Sequence, residues 1–128
     1  MPTVLVVDDE PLITSIIEEM LALLDNDVYT ASNFCEGEEI LSDAEDIDVI
    51  ILDRNLPDTD GVSGFLKLVQ KYSNLKCILI SGNLEDIPED INSYIENGQL
   101  VLCGKPFNFD YLNACIKKLT GISAYNQE

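Results

Sequence analysis

The sequence predicts an α/β protein of five β-α units, a doubly wound, parallel five-stranded sheet with helices on both faces. Three observations predict it. Short continuous apolar runs recur along the chain, segments with helical apolar spacing lie between them, and most runs stop at a polar residue. Continuous runs suit parallel strands covered on both sides, whereas a sheet wet on one face shows alternation. Strict β-α alternation with right-handed crossovers then distributes the helices over both faces.

The elements follow in order. Val4-Leu5-Val6-Val7 is the first run and ends at Asp8. Pro11 opens a helix, where its missing N–H costs nothing, and Ile13, Ile16, Ile17, Met20, Leu21 and Leu24 recur at helical spacing. A weaker run, Val28-Tyr29-Thr30-Ala31, follows Asp25-Asn26-Asp27, and Phe34 to Ala44 carries Ile40 and Leu41 on an otherwise polar helix. Val49-Ile50-Ile51-Leu52 ends at Asp53, and Val62, Phe65, Leu66 and Val69 form the next stripe. Cys77-Ile78-Leu79-Ile80 ends at Ser81; Ile87, Ile91, Tyr94 and Ile95 form a fourth stripe, stopped by Asn97-Gly98. Leu100-Val101-Leu102-Cys103 runs into Gly104 and Lys105, and Leu112, Cys115, Ile116 and Leu119 form a fifth stripe, ended by Gly121. Nearly all of these stripes read as core. Residues 1–120 read as one domain and 121–128, which lack periodicity, as a tail or linker stump.

Composition bounds the function. The 128 residues, 46 % apolar, suffice for one core without staples. No apolar run approaches the roughly 18 residues of a membrane span, and Met1-Pro2-Thr3-Val4 has no basic stretch of a secretory signal. Twenty-four acids against seven bases give a charge of −17, a field that repels nucleic acid and anionic lipid and attracts cations. The absence of His excludes imidazole chemistry. Cys35, Cys77, Cys103 and Cys115 form no C-x-x-C, and three lie in apolar runs. They read as reduced, buried thiols of a cytoplasmic protein.

In an open α/β sheet, ligands bind beyond the carboxyl ends of the strands, near the switch in strand order. The residues expected there are Asp8 and Asp9, Asp53, Ser81 and Lys105. Three crowded carboxylates raise one another's pKa. A hard cation such as Mg²⁺ resolves that conflict through oxygen ligands and neutralises a transferring phosphoryl group. An Asp can itself be the nucleophile, and a lysine and a hydroxyl suit the remaining phosphoryl oxygens.

With these residues the chain resembles the receiver domain of two-component response regulators over about residues 3–120. The family's acidic pair matches Asp8-Asp9 in Val6-Val7-Asp8-Asp9-Glu10-Pro11, and its phospho-accepting aspartate matches Asp53 in Ile50-Ile51-Leu52-Asp53-Arg54-Asn55-Leu56-Pro57. Gly61, the hydroxyl residue Ser81 and the pair Lys105-Pro106 complete the pattern. The resemblance implies a flavodoxin-like sheet of order 2-1-3-4-5 and no enzymatic activity beyond Mg²⁺-dependent self-phosphorylation and autodephosphorylation at Asp53. The phosphoryl donor would be a phosphohistidine on a sensor histidine kinase or phosphotransfer protein. Asp9, Asp53 and the backbone carbonyl of Asn55 would bind Mg²⁺ directly, with Asp8 acting through bound water. Lys105, after which a cis bond to Pro106 is expected, would pair with Asp53 and then with its phosphoryl group. Ser81 would move toward that group and draw its loop along. An output domain or partner would use the fourth and fifth helices, with Ile91 and Tyr94 as possible contacts. The family's usual Tyr or Phe three residues before the lysine is here Leu102, and Gln99 stands near where Ala is common.

Three other readings compete. Asp58-Thr59-Asp60-Gly61 looks like the motif of haloacid-dehalogenase-type phosphatases, but Arg54-Asn55-Leu56-Pro57 separates it from the apolar run, so it reads as a turn. A phosphorylation-independent interaction domain on the same fold, a pseudo-receiver, is the main alternative, since fold does not fix function. A nucleotide or flavin binder lacks its glycine-rich loops and would meet two carboxylates at the first strand.

Overall fold

Each apolar run is a strand: β1 (Val4–Val7), β2 (Val28–Ala31), β3 (Val49–Asp53), β4 (Cys77–Ser81) and β5 (Leu100–Gly104). The structure, a computed structural model, describes residues 2–121; of the predicted tail, 122–128 lie outside these. The sheet order is β2-β1-β3-β4-β5, and every pairing is parallel. Val4–Val7 register with Val28–Ala31 on one side and Val49–Leu52 on the other. The chain therefore turns one way after β1 and the other way before β3, and the switch lies between these two strands.

The helices α1 (Pro11–Leu23), α2 (Phe34–Asp43), α3 (Gly61–Lys71), α4 (Asn92–Glu96) and α5 (Phe109–Thr120) fill the connections, with a 3₁₀ turn at Glu89–Ile91 before α4. The pleat sends alternate strand residues to opposite faces. Leu5, Val7, Ile50, Leu52 and Leu79 join Phe34, Val62, Phe65 and Leu68 from α2 and α3. Val4, Val6, Ile51, Ile78 and Ile80 join Ile17, Leu21, Leu112 and Ile116 from α1 and α5. Burying this apolar surface at roughly 25 cal/mol per Å² is the main stabilising term. Asn33, Asp60 and Asn108 cap α2, α3 and α5 with side-chain oxygens, satisfying N–H groups that have no partner within the helix. Gly121 closes α5 with φ +75°, a conformation that favours glycine.

Two expectations about helices need correcting. The α1 stripe is only partly core: Ile17 and Leu21 are buried, whereas Ile16 is 58 % and Met20 38 % exposed. Leu12 and Leu23 extend this exposed apolar face. The fourth stripe is not one helix from Ile87. Pro88 is extended (ψ 147°), so only a 3₁₀ turn and a five-residue helix follow. Ile91 is fully buried and unavailable to a partner, and Tyr94 packs edge-on against Phe65 at 5.3 Å. Other expectations hold: the Lys105–Pro106 bond is cis, and the cysteines are free, with Cys77, Cys103 and Cys115 buried; Cys35, on the first turn of α2, is exposed instead.

Candidate functional site

The carboxyl ends of β1, β3, β4 and β5 meet above the switch point. Asp8 follows β1 at once, Asp53 and Ser81 end β3 and β4, and Lys105 follows β5. Backbone bonds fix these ends: Asp8 N–H donates to Ala31 O (3.1 Å), Arg54 N–H to Ile80 O (2.9 Å) and Lys105 N–H to Ser81 O (3.0 Å). Asp8, Asp53 and Ser81 are each at most 3 % exposed.

The carboxylates of Asp8, Glu10 and Asp53 each place an oxygen within 4.8 Å of the other two. The Lys105 ammonium straddles Asp53, 3.5 Å from both Oδ1 and Oδ2, and lies 3.5 Å from Glu10 Oε1. Asp53 Oδ1 also accepts from Asn55 N–H at 3.2 Å. Asp8 Oδ1 accepts from Glu10 N–H at 2.9 Å, but Asp8 Oδ2 is buried with no hydrogen-bond partner. Burial pushes the Asp8 carboxyl up to about 6; the Glu10 N–H opposes this and the Asp53 charge adds to it. For Lys105, burial works downward, and the charges of Asp53, Asp8 and Glu10 outweigh it, so its pKa is raised.

A buried carboxylate oxygen without a donor, beside two further carboxylates, fits a cation. An all-oxygen set without His or Cys fits a hard one such as Mg²⁺. Asp9 lies outside the tight group: it is exposed and borders a hollow shared with Arg54, Asn55 and Pro57. Glu10, which the sequence reading quoted only as part of the motif, is the residue it missed as a cluster member. Its place two residues after Asp8, with its N–H turned back to Asp8 Oδ1, is the local signal. Ser81 faces Asn83: its hydroxyl donates to Asn83 O (3.0 Å) and accepts from Asn83 N–H (3.1 Å).

The loop between β3 and α3 frames the cleft. Gly61 N–H donates to Arg54 O at 2.6 Å, and a Cβ on Gly61 would lie 2.6 Å from Arg54 Cα and Asp53 O. Asp60 caps α3 through Val62 N–H (2.7 Å). Asp58 reaches across to α2 and accepts from both Phe34 and Cys35 N–H at 2.9 Å. The acids of Asp58-Thr59-Asp60-Gly61 are thus helix caps in a turn, and the strand-end carboxylate is Asp53.

A family model described as the response regulator receiver domain matches residues 4–117. The chain is 30 % identical over 125 residues to the transcriptional regulatory protein KdpE of Staphylococcus aureus, covering 98 % of this chain and 52 % of that protein. It is 32 % identical over 118 residues to the alkaline phosphatase synthesis transcriptional regulatory protein PhoP of Bacillus subtilis, covering 91 % of this chain and 47 % of that one. The chain spans about half the length of these relatives. Among solved structures, the response regulator TrrA of Thermotoga maritima, in complex with Mg²⁺-BeF, superposes with a TM-score of 0.75 at 29 % identity, covering 93 % of this chain and 99 % of that one. A response regulator receiver domain protein from Clostridium thermocellum gives 0.78 at 25 % identity, covering 94 % and 95 %.

Proposed function

The chain belongs to the response regulator receiver domain family, and from that membership we propose that Asp53 is its phosphoryl acceptor. The observation that carries this reading is the buried Asp53 carboxylate, straddled by Lys105 beside two further carboxylates. An Asp53 oxygen attacks the phosphorus of a phosphohistidine, the P–N bond breaks, and the imidazole leaves with the bonding pair. These 128 residues contain no His, so the phosphohistidine lies outside them, on a sensor histidine kinase or phosphotransfer protein. Lys105 offsets the charge gathering on the transferred group and then holds it. Ser81 donates to one of its oxygens once released from Asn83.

Asp8, Asp53 and Glu10 would hold Mg²⁺, with Asp9 and the Asn55 backbone carbonyl completing the set from the adjoining hollow. Bound there, Mg²⁺ supplies positive charge that neutralises phosphoryl oxygens brought among carboxylates. The donor docks on α1. Leu12, Ile16, Met20 and Leu23 form an exposed apolar face, and a hollow lined by Ile13, Ile16, Ile17, Lys105, Pro106 and Phe107 joins it to the cleft. An output domain or partner contacts the outer side of α4 and α5. We place the domain in the cytoplasm, where such donors act; no helix among the described residues is long and apolar enough to cross a membrane.

Intact-mass spectrometry after incubation with acetyl phosphate and Mg²⁺ tests this reading. One added phosphoryl group in the wild type and none in Asp53→Asn is the expected result. Equal labelling of both would remove Asp53 as the nucleophile. No labelling of either, with several donors and an intact fold, would favour the phosphorylation-independent reading.

A further inference from the structure

The residue that occupies the family's aromatic position is Leu102, partly buried against the core on the α2–α3 face. The loop after β4 offers another route. Ser81 has one hydroxyl proton, and it is given to Asn83 O; bonding a phosphoryl oxygen requires that this bond be released. Asn83 is the hub of the loop. Its carbonyl also accepts from Arg54 Nη1 at 3.5 Å, and its side chain accepts from Glu85 N–H at 3.0 Å. Arg54 Nε in turn lies 3.7 Å from Asp60 Oδ2, so the guanidinium ties the loop to the fixed side of the cleft.

The next residue, Leu84, is 44 % exposed, yet it is seated on β5. Its Cδ1 lies 3.2 Å from where a Cβ on Gly104 would stand. Any larger residue at 104 would crowd it, so the missing side chain makes the seat. Gly104 is the register partner of Ser81 and precedes Lys105. We infer that Leu84 is the positioning residue of the switch, carrying the state of the Ser81 hydroxyl through its seat on Gly104 to the body of β5, in place of a side chain at 102. This rests on the reading of Asp53 as phosphoryl acceptor. A bound phosphoryl group can bias only states it contacts differently. Ser81 makes the differing contact, Asn83 leaves its resting bond, and Leu84 leaves Gly104 with it.

Methyl-labelled leucine spectra and amide spectra of the chain, titrated with Mg²⁺ and beryllofluoride, test the inference. The Ser81 amide and the Leu84 methyls are expected to shift with one midpoint, while the Leu102 methyls shift less than half as far. In Leu84→Ala, Ser81 and Lys105, which are bonded to each other directly, still respond, and the responses of the Cys103 and Gly104 amides fall by at least half; Leu84→Met restores them. The half-exposed position of Leu84 keeps the fold intact in both variants. A response at Asp53 and Ser81 that leaves the Leu84 methyls unmoved overturns the inference alone, as does an undiminished β5 response in Leu84→Ala. No response anywhere in the wild type removes the acceptor reading, and this inference falls with it.

Discussion

The two loops that flank the cleft are built in opposite ways. Between β3 and α3, Gly61 is bonded to Arg54 O, Asp60 caps α3, Asp58 caps α2, and Asn55 bridges to Asp60. The helix that follows buries Val62, Phe65, Leu68 and Val69. Between β4 and α4, Gly82 through Asp86 are all exposed, and α4 has five residues, none buried and no side-chain cap. A short helix with only Tyr94 and Ile95 partly buried against the core draws less stability from packing than α3 does. One loop thus holds the β3 end of the cleft at several points, whereas the other, exposed from Gly82 to Asp86, is held mainly through Asn83. A receiver needs both, because a rigid site places the charge and a loose neighbour converts it into motion.

Substitution at the glycines is the strongest way to break this contrast. A Cβ on Gly61 would fall within 2.6 Å of two backbone atoms, which cannot rotate away as a side chain can. Gly61→Ala is expected to cost about 3 kcal/mol in urea unfolding, at the upper end of overpacking effects, and to lower Tm by about 10 °C. A loss below about 0.5 kcal/mol would mean that the β3–α3 loop yields as readily as its neighbour.

The next largest effect lies in Asp8. Its pKa is raised in the folded protein to about 6, first by burial and further by Asp53. Between about pH 4 and pH 6 the folded state therefore holds a proton that the unfolded state has lost. Without metal, stability falls as pH rises through this window and stays low above it. Two pKa units correspond to about 2–3 kcal/mol. Asp8→Asn is expected to stabilise the metal-free protein by about 2 kcal/mol at pH 7 and hardly at all near pH 4. Mg²⁺ should raise the stability of the wild type at pH 7 by mass action and that of the variant less. Calorimetry at three pH values checks this, and equal stability of variant and wild type at pH 7 would show that the pinned side carries no charge conflict.

Most of the site was legible because of how parallel sheets are built. A strand buried on both faces is a continuous apolar run, so the polar residue that ends it marks the mouth of the sheet; Asp8, Asp53 and Ser81 were all found that way. The helices were harder. Spacing at three and four identifies a stripe but not what covers it, so the outer residues of α1, Ile16 and Met20, read like core. Pro88 broke a stripe that apolar spacing alone carried across it. Glu10 and Asp58 act through backbone N–H groups, Glu10 by turning back on Asp8 and Asp58 by reaching 24 residues away, and neither contact leaves an apolar pattern to read.

Asp58 sharpens the comparison at a smaller scale. The Phe34 N–H, and then that of Cys35, hold its carboxyl below the usual range. Its contribution is present above about pH 4 and is lost as pH falls below that. Asp58→Ala is expected to cost about 1 kcal/mol at pH 7, as loss of a helix cap does, and progressively less as pH falls below about 4. A cost unchanged by pH would mean that the side chain acts through packing.

The smallest effect is expected at Gly82, where the loose side of the cleft begins. A Cβ there meets nothing within 4 Å, and its φ is not in the left-handed region, so alanine fits without strain. The folded state loses nothing, while the unfolded chain loses some freedom, which for compatible glycines favours folding by up to about 1 kcal/mol. Gly82→Ala is therefore expected to change stability by less than about 0.5 kcal/mol, or to raise it slightly. The same substitution one strand away, Gly61→Ala, is expected to cost several times more. Measured side by side in urea, a gap between the two of at least about 2 kcal/mol is the expected result. If Gly82→Ala costs as much as Gly61→Ala, the β4–α4 loop is packed as tightly as the β3–α3 loop, and the division of the cleft into a fixed and a movable side fails.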